Sequence, residues 1–297
     1  MASSPQLDRV IGIMKDIRSN PPADIHEARA VLDQAFAVYP PASDVTIFEI
    51  DAGGVPCQWI TASGVPQDRL IIYLHGGAYA TCSPTTHKDL ISRLSLASGT
   101  AALGVDYRLA PEYLFPAAVE DCLAAYNWAL SHGFEPGNIV LAGDSAGGGL
   151  VVSVLLAARD SALPLPAAGV CFSPWVDLEC TGESMSVNDH LDAFIKYEGL
   201  FARAQSYLGE ADPKHPWASA LYADLHGLPP LLIHVGSAET LLDDSTRLAI
   251  LAKDSGVDVS FKIWDDMVHV WQLFASVLPE GQQSIDESGK FIRSKLG

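Results

Sequence analysis

The segment Gly143-Asp144-Ser145-Ala146-Gly147 has the form G-x-S-x-G, a spacing that can present a reactive serine. A short apolar run, residues 138–142, leads into it, and a second apolar segment, residues 150–159, follows it. A nucleophilic serine needs a sharp strand–turn–helix bend that exposes its hydroxyl, and the flanking glycines let neighbouring backbone pass without a Cβ clash. We therefore predict that Ser145 is the nucleophile of an acyl-transfer reaction. The alternative is an ordinary glycine-rich turn.

A serine hydroxyl is a weak nucleophile until a base accepts its proton, and an acidic side chain must orient that base. In a strand–turn–helix architecture of this kind the chain order is serine, acid, histidine. His269 is the only histidine after all plausible acids, and it follows the last β-rich run of the sequence. We predict that His269 is the base. The remaining histidines are assigned to structural or solvent-exposed positions.

The acid should lie on a loop at the end of a strand. Glu239 follows the apolar run at 231–236 after a three-residue step, and we predict that it orients His269. Asp243 is the runner-up, because Asp243 and Asp244 begin a helical segment where acidic residues commonly complement the helix dipole. It stays open at this point whether Glu239 merely begins that helix.

The negative charge that develops on the attacked carbonyl oxygen requires fixed N–H donors. His75-Gly76-Gly77-Ala78-Tyr79 follows the apolar run at 70–74. Small residues let the backbone N–H groups of Gly76 and Gly77 point at the substrate oxygen, together with the N–H of Ala146 after the nucleophile. These three residues are the predicted oxyanion hole, and His75 is predicted to anchor the loop.

Short β-rich runs separated by helix-length intervals must position these residues. The apolar runs lie at 45–50, 57–61, 70–74, 101–105, 139–143, 167–172, 231–236 and 259–264. The later runs are almost continuously apolar, as strands covered on both faces must be, so a mostly parallel α/β sheet is predicted. Two helices precede the first run, divided near residues 20–22. The interval at 172–231 is long enough for inserted helices, which form a candidate lid.

Composition excludes several functions. The chain has 297 residues, of which 36 are acidic and 18 basic, and its net charge of -18 argues against binding to nucleic acid or to an anionic membrane. The charged N-terminal segment does not resemble a secretory signal, and no apolar run is long enough to cross a membrane. Five scattered cysteines without a CxxC pair indicate reduced thiols and a cytoplasmic protein. With no nucleotide-binding or metal-binding motif, we expect neither a cofactor nor a metal.

Several further motifs carry a resemblance that extends from about Thr46 to the C-terminus. They are the segment YRLAPE at 107–112, GDSAGG at 143–148, SPW at 173–175, and Leu241 with Asp243. In these motifs the chain resembles the bacterial branch of the hormone-sensitive lipase family, which has the α/β-hydrolase fold. It departs from the family pattern at Ala78, where the loop usually has a third glycine, and at Glu239, where the family usually has Asp.

The resemblance implies an α/β-hydrolase fold, with a mostly parallel eight-stranded sheet flanked by helices and a helical cap. Residues 1–44 would form the N-terminal part of the cap, and residues 45–297 the catalytic domain, with a cap insertion at about 180–215. The implied activity is that of a serine carboxylesterase, which hydrolyses short- to medium-chain acyl esters through an acyl-enzyme intermediate. Candidate substrate-binding residues are Tyr79, Trp175, Phe194 and Trp217.

Three alternatives remain open on the sequence alone. The same three catalytic residues could hydrolyse amides or carbamates, or could transfer an acyl group. The family also includes a plant hormone receptor that has lost the catalytic histidine, although His269 is present here. The expected partner is a small ester, a homodimer is left open, and the net charge of -18 suggests mild rejection of anionic substrates.

Overall fold

The computed structural model describes residues 4–20 and 22–297 and contains one eight-stranded sheet. The strands are β1 (Val45–Asp51), β2 (Pro56–Ala62), β3 (Leu70–Leu74), β4 (Ala101–Val105), β5 (Ile139–Asp144), β6 (Ala168–Phe172), β7 (Leu231–Gly236) and β8 (Val259–Trp264). Their spatial order is β1-β2-β4-β3-β5-β6-β7-β8. The pairs β1/β2 and β2/β4 are antiparallel, and all other neighbours are parallel. The predicted mostly parallel sheet is confirmed.

The sheet is covered by helices on both faces. The helices are α1 (Pro5–Ser19), α2 (Ile25–Ala37), α3 (Lys88–Ser98), α4 (Ala117–Ser131), α5 (Ala146–Asp160), α6 (Ser184–Val187), α7 (Tyr197–Leu208), α8 (Leu242–Asp254) and α9 (Pro279–Lys295). Strand side chains alternate between the two faces. In β3, Leu70, Ile72 and Leu74 join the core that contains α4 and α5, while Ile71 and Tyr73 join the core that contains α3 and α9.

Helix α5 begins earlier than its apolar pattern indicates, at Ala146 rather than near Leu150. The residues in between are glycines, which give no apolar signal. A Cβ on Gly149 would lie 2.2 Å from the carbonyl oxygen of Trp175, and a Cβ on Gly147 would lie 2.0 Å from that of Leu74. The first turn of α5 therefore consists of small residues because neighbouring backbone approaches it closely.

The N-terminal segment forms the two predicted helices, and the predicted division at residues 20–22 includes Pro21, which lies outside the described residues. The side chain of Ser4 accepts the N–H of Leu7 at the start of α1, and that of Asp24 accepts the N–H of Glu27 at the start of α2. The apolar faces of both helices join one buried cluster, which includes Leu7, Val10, Met14, Phe36, Trp264, Trp271 and Phe274. The two helices thus pack against the region that follows β8.

The long interval between β6 and β7 contains α6 and α7, as its apolar residues indicated. Helix α7 presents Gly199, Leu200 and Arg203 to the same cavity as Ser145 and His269. This spacing of three to four residues places the α7 side chains on one helix face. Across residues 4–20 and 22–297, no helix combines the length and the apolar character needed to cross a membrane.

Candidate active site

Ser145 lies at a strained turn between β5 and α5. Its backbone has φ 53° and ψ -122°, a conformation that costs on the order of 1–3 kcal/mol and persists only where the surrounding structure enforces it. A Cβ on Gly143 would lie 2.4 Å from the carbonyl oxygen of Gly147, so only glycine fits there. The strain directs the Ser145 hydroxyl out of the sheet and toward the loops that follow the neighbouring strands.

Ser145, His269 and Glu239 form a continuous line of hydrogen bonds. Because a carboxylate only accepts, the Nδ1–H of His269 donates to Glu239 Oε2 at 2.8 Å, and Nε2 then accepts from the Ser145 hydroxyl at 2.9 Å. Glu239 is fully buried, and its other oxygen accepts from Ser173 Oγ at 2.7 Å and from the N–H of Gly236 at 2.6 Å. All three side chains follow strands of the sheet, at its carboxyl edge.

The surroundings of His269 favour its protonated form. Burial opposes the imidazolium, but the hydrogen bond and negative charge of Glu239 outweigh burial and raise the pKa of His269 above its usual value. A base of this kind gains a proton from serine readily. The line of hydrogen bonds can therefore move a proton from Ser145 to His269.

The runner-up acid, Asp243, lies in a different network. Its side chain accepts the N–H of Ser184 at 2.9 Å, and its own N–H donates to Ser184 Oγ at 3.0 Å. Asp243 thus connects α8 to the inserted segment, while Glu239 contacts His269. The additional methylene of glutamate lets Oε1 remain bonded to the Gly236 and Ser173 donors while Oε2 reaches the imidazole.

The loop after β3 differs in one respect from the sequence prediction. The N–H of Gly76, which we expected in the oxyanion hole, donates to Asp144 Oδ1 at 3.1 Å. A Cβ on Gly76 would lie 2.3 Å from Asp144 Oδ2, so this glycine permits close approach to a carboxylate rather than to substrate. Gly77 and Ala78 line the cavity instead, with φ values of 113° and 52°.

Within the described part of the chain, the N–H groups of Gly77, Ala78 and Ala146 make no hydrogen bond to another residue. Ala146 is the first residue of α5, where the N–H has no partner within its own helix. The helix dipole adds positive potential at that end. These groups lie next to Ser145 along the chain or on the facing loop, and they can donate hydrogen bonds to a developing oxyanion.

Buried polar residues hold this loop in place. Asp144 accepts from Tyr73 Oη at 2.8 Å and from His87 Nε2 at 3.2 Å, in addition to Gly76. Burial opposes the charged form of Asp144, but the charge and hydrogen bond of His87 and the hydroxyl of Tyr73 outweigh it, so the pKa of Asp144 is lowered. His75 stacks on Tyr107 with ring centroids 4.2 Å apart, and burial lowers its pKa to about 3. His75 is a neutral anchor, as its position indicated.

A cavity of about 400 Å³ extends from Ser145 and His269. Its wall is formed mainly by apolar side chains from α1, α2, the inserted segment and the region after β8: Met14, Ile17, Val31, Leu32, Phe36, Phe194, Leu200, Leu273 and Phe274. The volume falls at the small end of the range for ligand-binding cavities. It can therefore hold a small apolar group against the reactive serine.

Comparison with known proteins finds relatives that share this fold. The family model for the alpha/beta hydrolase fold matches residues 71–273. An acetyl-hydrolase of Streptomyces hygroscopicus is 42% identical over 99% of this chain and 98% of its own length, and an esterase of Acinetobacter venetianus is 35% identical over 90% and 88%. The crystal structure of an esterase from the bacterial hormone-sensitive lipase family is 49% identical, covers 100% of both chains and has a TM-score of 0.98. This chain belongs to that family.

Within this α/β hydrolase, one of the four predicted substrate-binding residues lines the cavity, namely Phe194. Tyr79 is 1% exposed, because its ring stacks on Tyr207 with centroids 3.9 Å apart, and Trp175 packs against Tyr79 at 5.6 Å. Both aromatic rings fill the core beside the loop. Trp217 lies elsewhere, and its Nε1–H donates to Asp160 Oδ2 at 3.3 Å. None of these three lines the cavity.

The hydrolase cavity also contains residues that the sequence did not single out. His87 lines it together with Asp144, and three basic residues, Arg18, Lys196 and Arg203, also line it. The spacing of Lys196 and Arg203 on one predicted helix face was the available signal, but nothing in the sequence indicated that this face points at Ser145.

The described residues include no group of three or more His, Cys, Asp or Glu side chains arranged to hold a metal ion. All five cysteines are free thiols. Cys82 lines the cavity, and burial raises its pKa to about 12, which keeps it in the unreactive thiol form near neutral pH. The geometry that can support proton transfer at this cavity is that of Ser145, His269 and Glu239.

Proposed function

We propose that this protein is a serine carboxylesterase that hydrolyses short- to medium-chain acyl esters, with Ser145 as nucleophile, His269 as base and Glu239 as orienting acid. One observation carries the proposal: a strained, cavity-facing serine hydroxyl lies 2.9 Å from the Nε2 atom of a histidine that Glu239 orients. The names of the relatives, acetyl-hydrolase and esterase, support the same reaction class.

In the first half of the reaction, Ser145 Oγ attacks the ester carbonyl carbon as its proton moves to His269 Nε2. The carbonyl oxygen becomes an oxyanion, which accepts hydrogen bonds from the N–H groups of Gly77, Ala78 and Ala146. The tetrahedral intermediate then collapses, the bond to the alcohol oxygen breaks, and His269 returns the proton to the departing alcohol. Gly76 contributes indirectly, since its N–H fixes the loop to Asp144.

In the second half, a water molecule replaces the alcohol. His269 takes a proton from this water as its oxygen attacks the acyl carbon, and the same N–H groups bind the second oxyanion. Collapse breaks the bond to Ser145 Oγ, which regains its proton from His269. The carboxylic acid leaves and the free enzyme is restored.

We further propose that residues 1–44 and about 180–215 form a cap over this site. Side chains from α1, α2 and α7 line the same cavity as Ser145, which supports this division. A cavity of about 400 Å³ favours acyl groups of short to medium length. A series of p-nitrophenyl esters with acyl chains from acetate to palmitate tests this limit, and highest activity on palmitate would contradict it.

The proposed nucleophile is tested with Ser145→Ala and p-nitrophenyl butyrate. We expect kcat to fall by roughly 10⁴-fold or more, because the covalent step is removed while binding is kept. Ser153→Ala is the matched control, since Ser153 lies on the same helix and donates to the Gly149 carbonyl at 3.0 Å. Circular dichroism should be unchanged in both variants. Turnover by Ser145→Ala at a rate near that of the wild type would refute the proposal.

Two further proposals concern the protein in solution. Free thiols at all five cysteines fit a reducing compartment, so we propose a cytoplasmic location. We also propose a homodimer, which sedimentation velocity would test directly by the measured mass.

A further inference from the structure

The cavity beside Ser145 has a basic lining, although the chain as a whole is acidic. Arg18, Lys196 and Arg203 line it, whereas Asp144 is the one acidic residue that the described part of the chain contributes to the lining. The charge of Asp144 is already matched by the donors from Tyr73, Gly76 and His87. The cavity therefore presents positive charge to whatever enters it, although the net charge of the chain is -18.

Two of the three basic side chains have protein partners. Lys196 forms an ion pair with Asp189 at 3.2 Å, which neutralises its charge locally. The guanidinium of Arg18 donates to the backbone carbonyl of Asp192 at 3.2 Å and is exposed at the end of α1. Both side chains therefore have a polar partner within the chain, and that of Lys196 is a counter-ion.

Arg203 is different, because it has no hydrogen bond or ion pair with any residue in 4–20 or 22–297. It lies half-buried on α7, on the same helix face as Gly199 and Leu200, which also line the cavity. Burial, with a smaller contribution from the charge of Arg29, lowers the pKa of Arg203, yet an arginine stays protonated throughout the physiological range. The side chain is thus a charged group without a counter-ion.

The guanidinium of the neighbouring Arg29, in contrast to that of Arg203, has several hydrogen-bond partners. It forms a bidentate ion pair with Glu112, at 2.8 and 2.7 Å, and it also donates to the carbonyl oxygens of Ala80 and Ala110. A partly buried charge without such partners is costly, and the planar guanidinium is well suited to bind a carboxylate through two hydrogen bonds. Arg203 lines the cavity without such a partner among the described residues, so a bound molecule is the remaining source of one.

We propose that Arg203 binds an anionic group of the substrate, so that the preferred ester carries a carboxylate or a similar small oxyanion on its acyl or its alcohol part. This inference rests on the proposed function, since it names the substrate class of the same site. It reverses the expectation that a net charge of -18 disfavours anionic substrates. The local field of the cavity wall, rather than the total charge of the chain, acts on a bound molecule.

The test compares esters of equal length with and without a terminal charge. Monoethyl glutarate and ethyl pentanoate differ in whether the acyl chain ends in a carboxylate or a methyl group, and release of ethanol reports turnover of both. For the wild type we expect kcat/KM to be higher for monoethyl glutarate. In Arg203→Gln it should fall about 10- to 100-fold for monoethyl glutarate, mainly through KM, because a charge-assisted pair is lost. For ethyl pentanoate it should change by less than about threefold.

Two variants control for charge and folding. Arg203→Lys keeps the positive charge and should recover part of the preference for the anionic ester, although it lacks the bidentate geometry. Lys15→Gln removes one positive charge from the exposed face of α1, outside the cavity lining, and should leave the ratio of the two kcat/KM values unchanged. Melting temperatures of all variants report folding independently of activity.

A second pair of substrates locates the charged end. In 3-acetoxypropanoate the carboxylate lies on the alcohol part, and propyl acetate is its neutral counterpart. Loss of preference in Arg203→Gln for one pair only would place the anion on that side of the scissile bond. Monoethyl succinate and monoethyl adipate extend the acyl series and measure the span between Ser145 and Arg203.

The failure of this inference can be separated from that of the proposed function. If the wild type hydrolyses ethyl pentanoate but Arg203→Gln changes both glutarate and pentanoate turnover equally, the role of Arg203 is overturned while the esterase assignment stands. If the folded wild type hydrolyses none of these esters, the proposed function itself fails.

Discussion

The carboxyl edge of the sheet and the proposed cap differ in how their side chains are held. At the sheet edge, Glu239 accepts from Gly236, Ser173 and His269, and Asp144 accepts from three donors. The cap contributes mostly apolar side chains to the cavity, and its polar connections to the rest of the chain include Arg29 with Glu112. Backbone strain and buried hydrogen bonds thus hold the proposed catalytic groups, whereas the proposed cap contributes mainly apolar contact surface.

This contrast predicts that changes at the sheet edge affect the chemical step and that changes in the cap affect substrate choice. The largest effect is expected for His269→Ala, which removes the base. We expect kcat for p-nitrophenyl butyrate to fall by about 10⁴-fold, since the Ser145 hydroxyl then has no acceptor for its proton. His190→Ala, at an exposed histidine of the inserted segment, is the control and should be fully active. A His269→Ala enzyme with more than about a tenth of wild-type activity would remove this residue from the mechanism.

Glu239→Gln should give the next largest effect, a fall in kcat of about 10²- to 10⁴-fold, because the orientation and charge of the imidazole are altered. Since Glu239 raises the pKa of His269 and the base must be neutral, wild-type activity declines as pH falls through that raised value. Without the carboxylate, the acidic limb of the kcat/KM profile should move to lower pH. Asp243→Asn is the matched control, and a shifted limb in that variant alone would reassign the acid.

In the cap, Leu32→Trp should alter selectivity without altering the chemistry. Leu32 lines the cavity from α2, so a larger ring shortens the space for an acyl chain. We expect kcat/KM for p-nitrophenyl octanoate to fall about 10-fold while that for the acetate ester changes by less than about threefold. Val38→Trp, at a position 70% exposed beyond α2, should leave both values unchanged. Equal losses on the two esters would contradict a cap that sets acyl length.

Arg29→Met should have the smallest effect. The Arg29–Glu112 ion pair is partly exposed, so its loss costs at most about 1 kcal/mol, and we expect KM for p-nitrophenyl butyrate to rise about two- to fivefold with little change in kcat. Glu112→Gln should behave similarly. If the two residues act as one connection between α2 and the loop, the double variant should be no worse than either single variant. Fully additive effects would show that they act separately.

The sequence predicted the fold, and it singled out Ser145, His269 and Glu239, which the structure brings together, because both depend on local patterns. Each of the eight strands coincides with a short apolar run, and Ser145 lies between an apolar strand and a glycine-rich turn. His269 and Glu239 follow from chain order and from the ends of two strands. These features can be predicted without knowing which side chains from distant parts of the chain are in contact.

The remaining features depend on contacts between distant parts of the chain. Whether the N–H of Gly76 is available depends on Asp144, which lies 68 residues further along the sequence. Tyr79 and Trp175 lie on the loops that the sequence predicted, after β3 and β6. Their rings, however, pack in the core with Tyr207 from the inserted segment. For Arg203, sequence gives the helix face but not the direction in which α7 packs.

Labelling with diethyl p-nitrophenyl phosphate tests the central claim, that the sheet edge activates Ser145, most directly. The account predicts that the intact mass of the wild type rises by a single diethylphosphoryl group, located at Ser145 by peptide mapping. Ser145→Ala should gain no adduct, and His269→Ala should label far more slowly. An adduct on another residue, or a folded wild type that stays unmodified, would contradict the account.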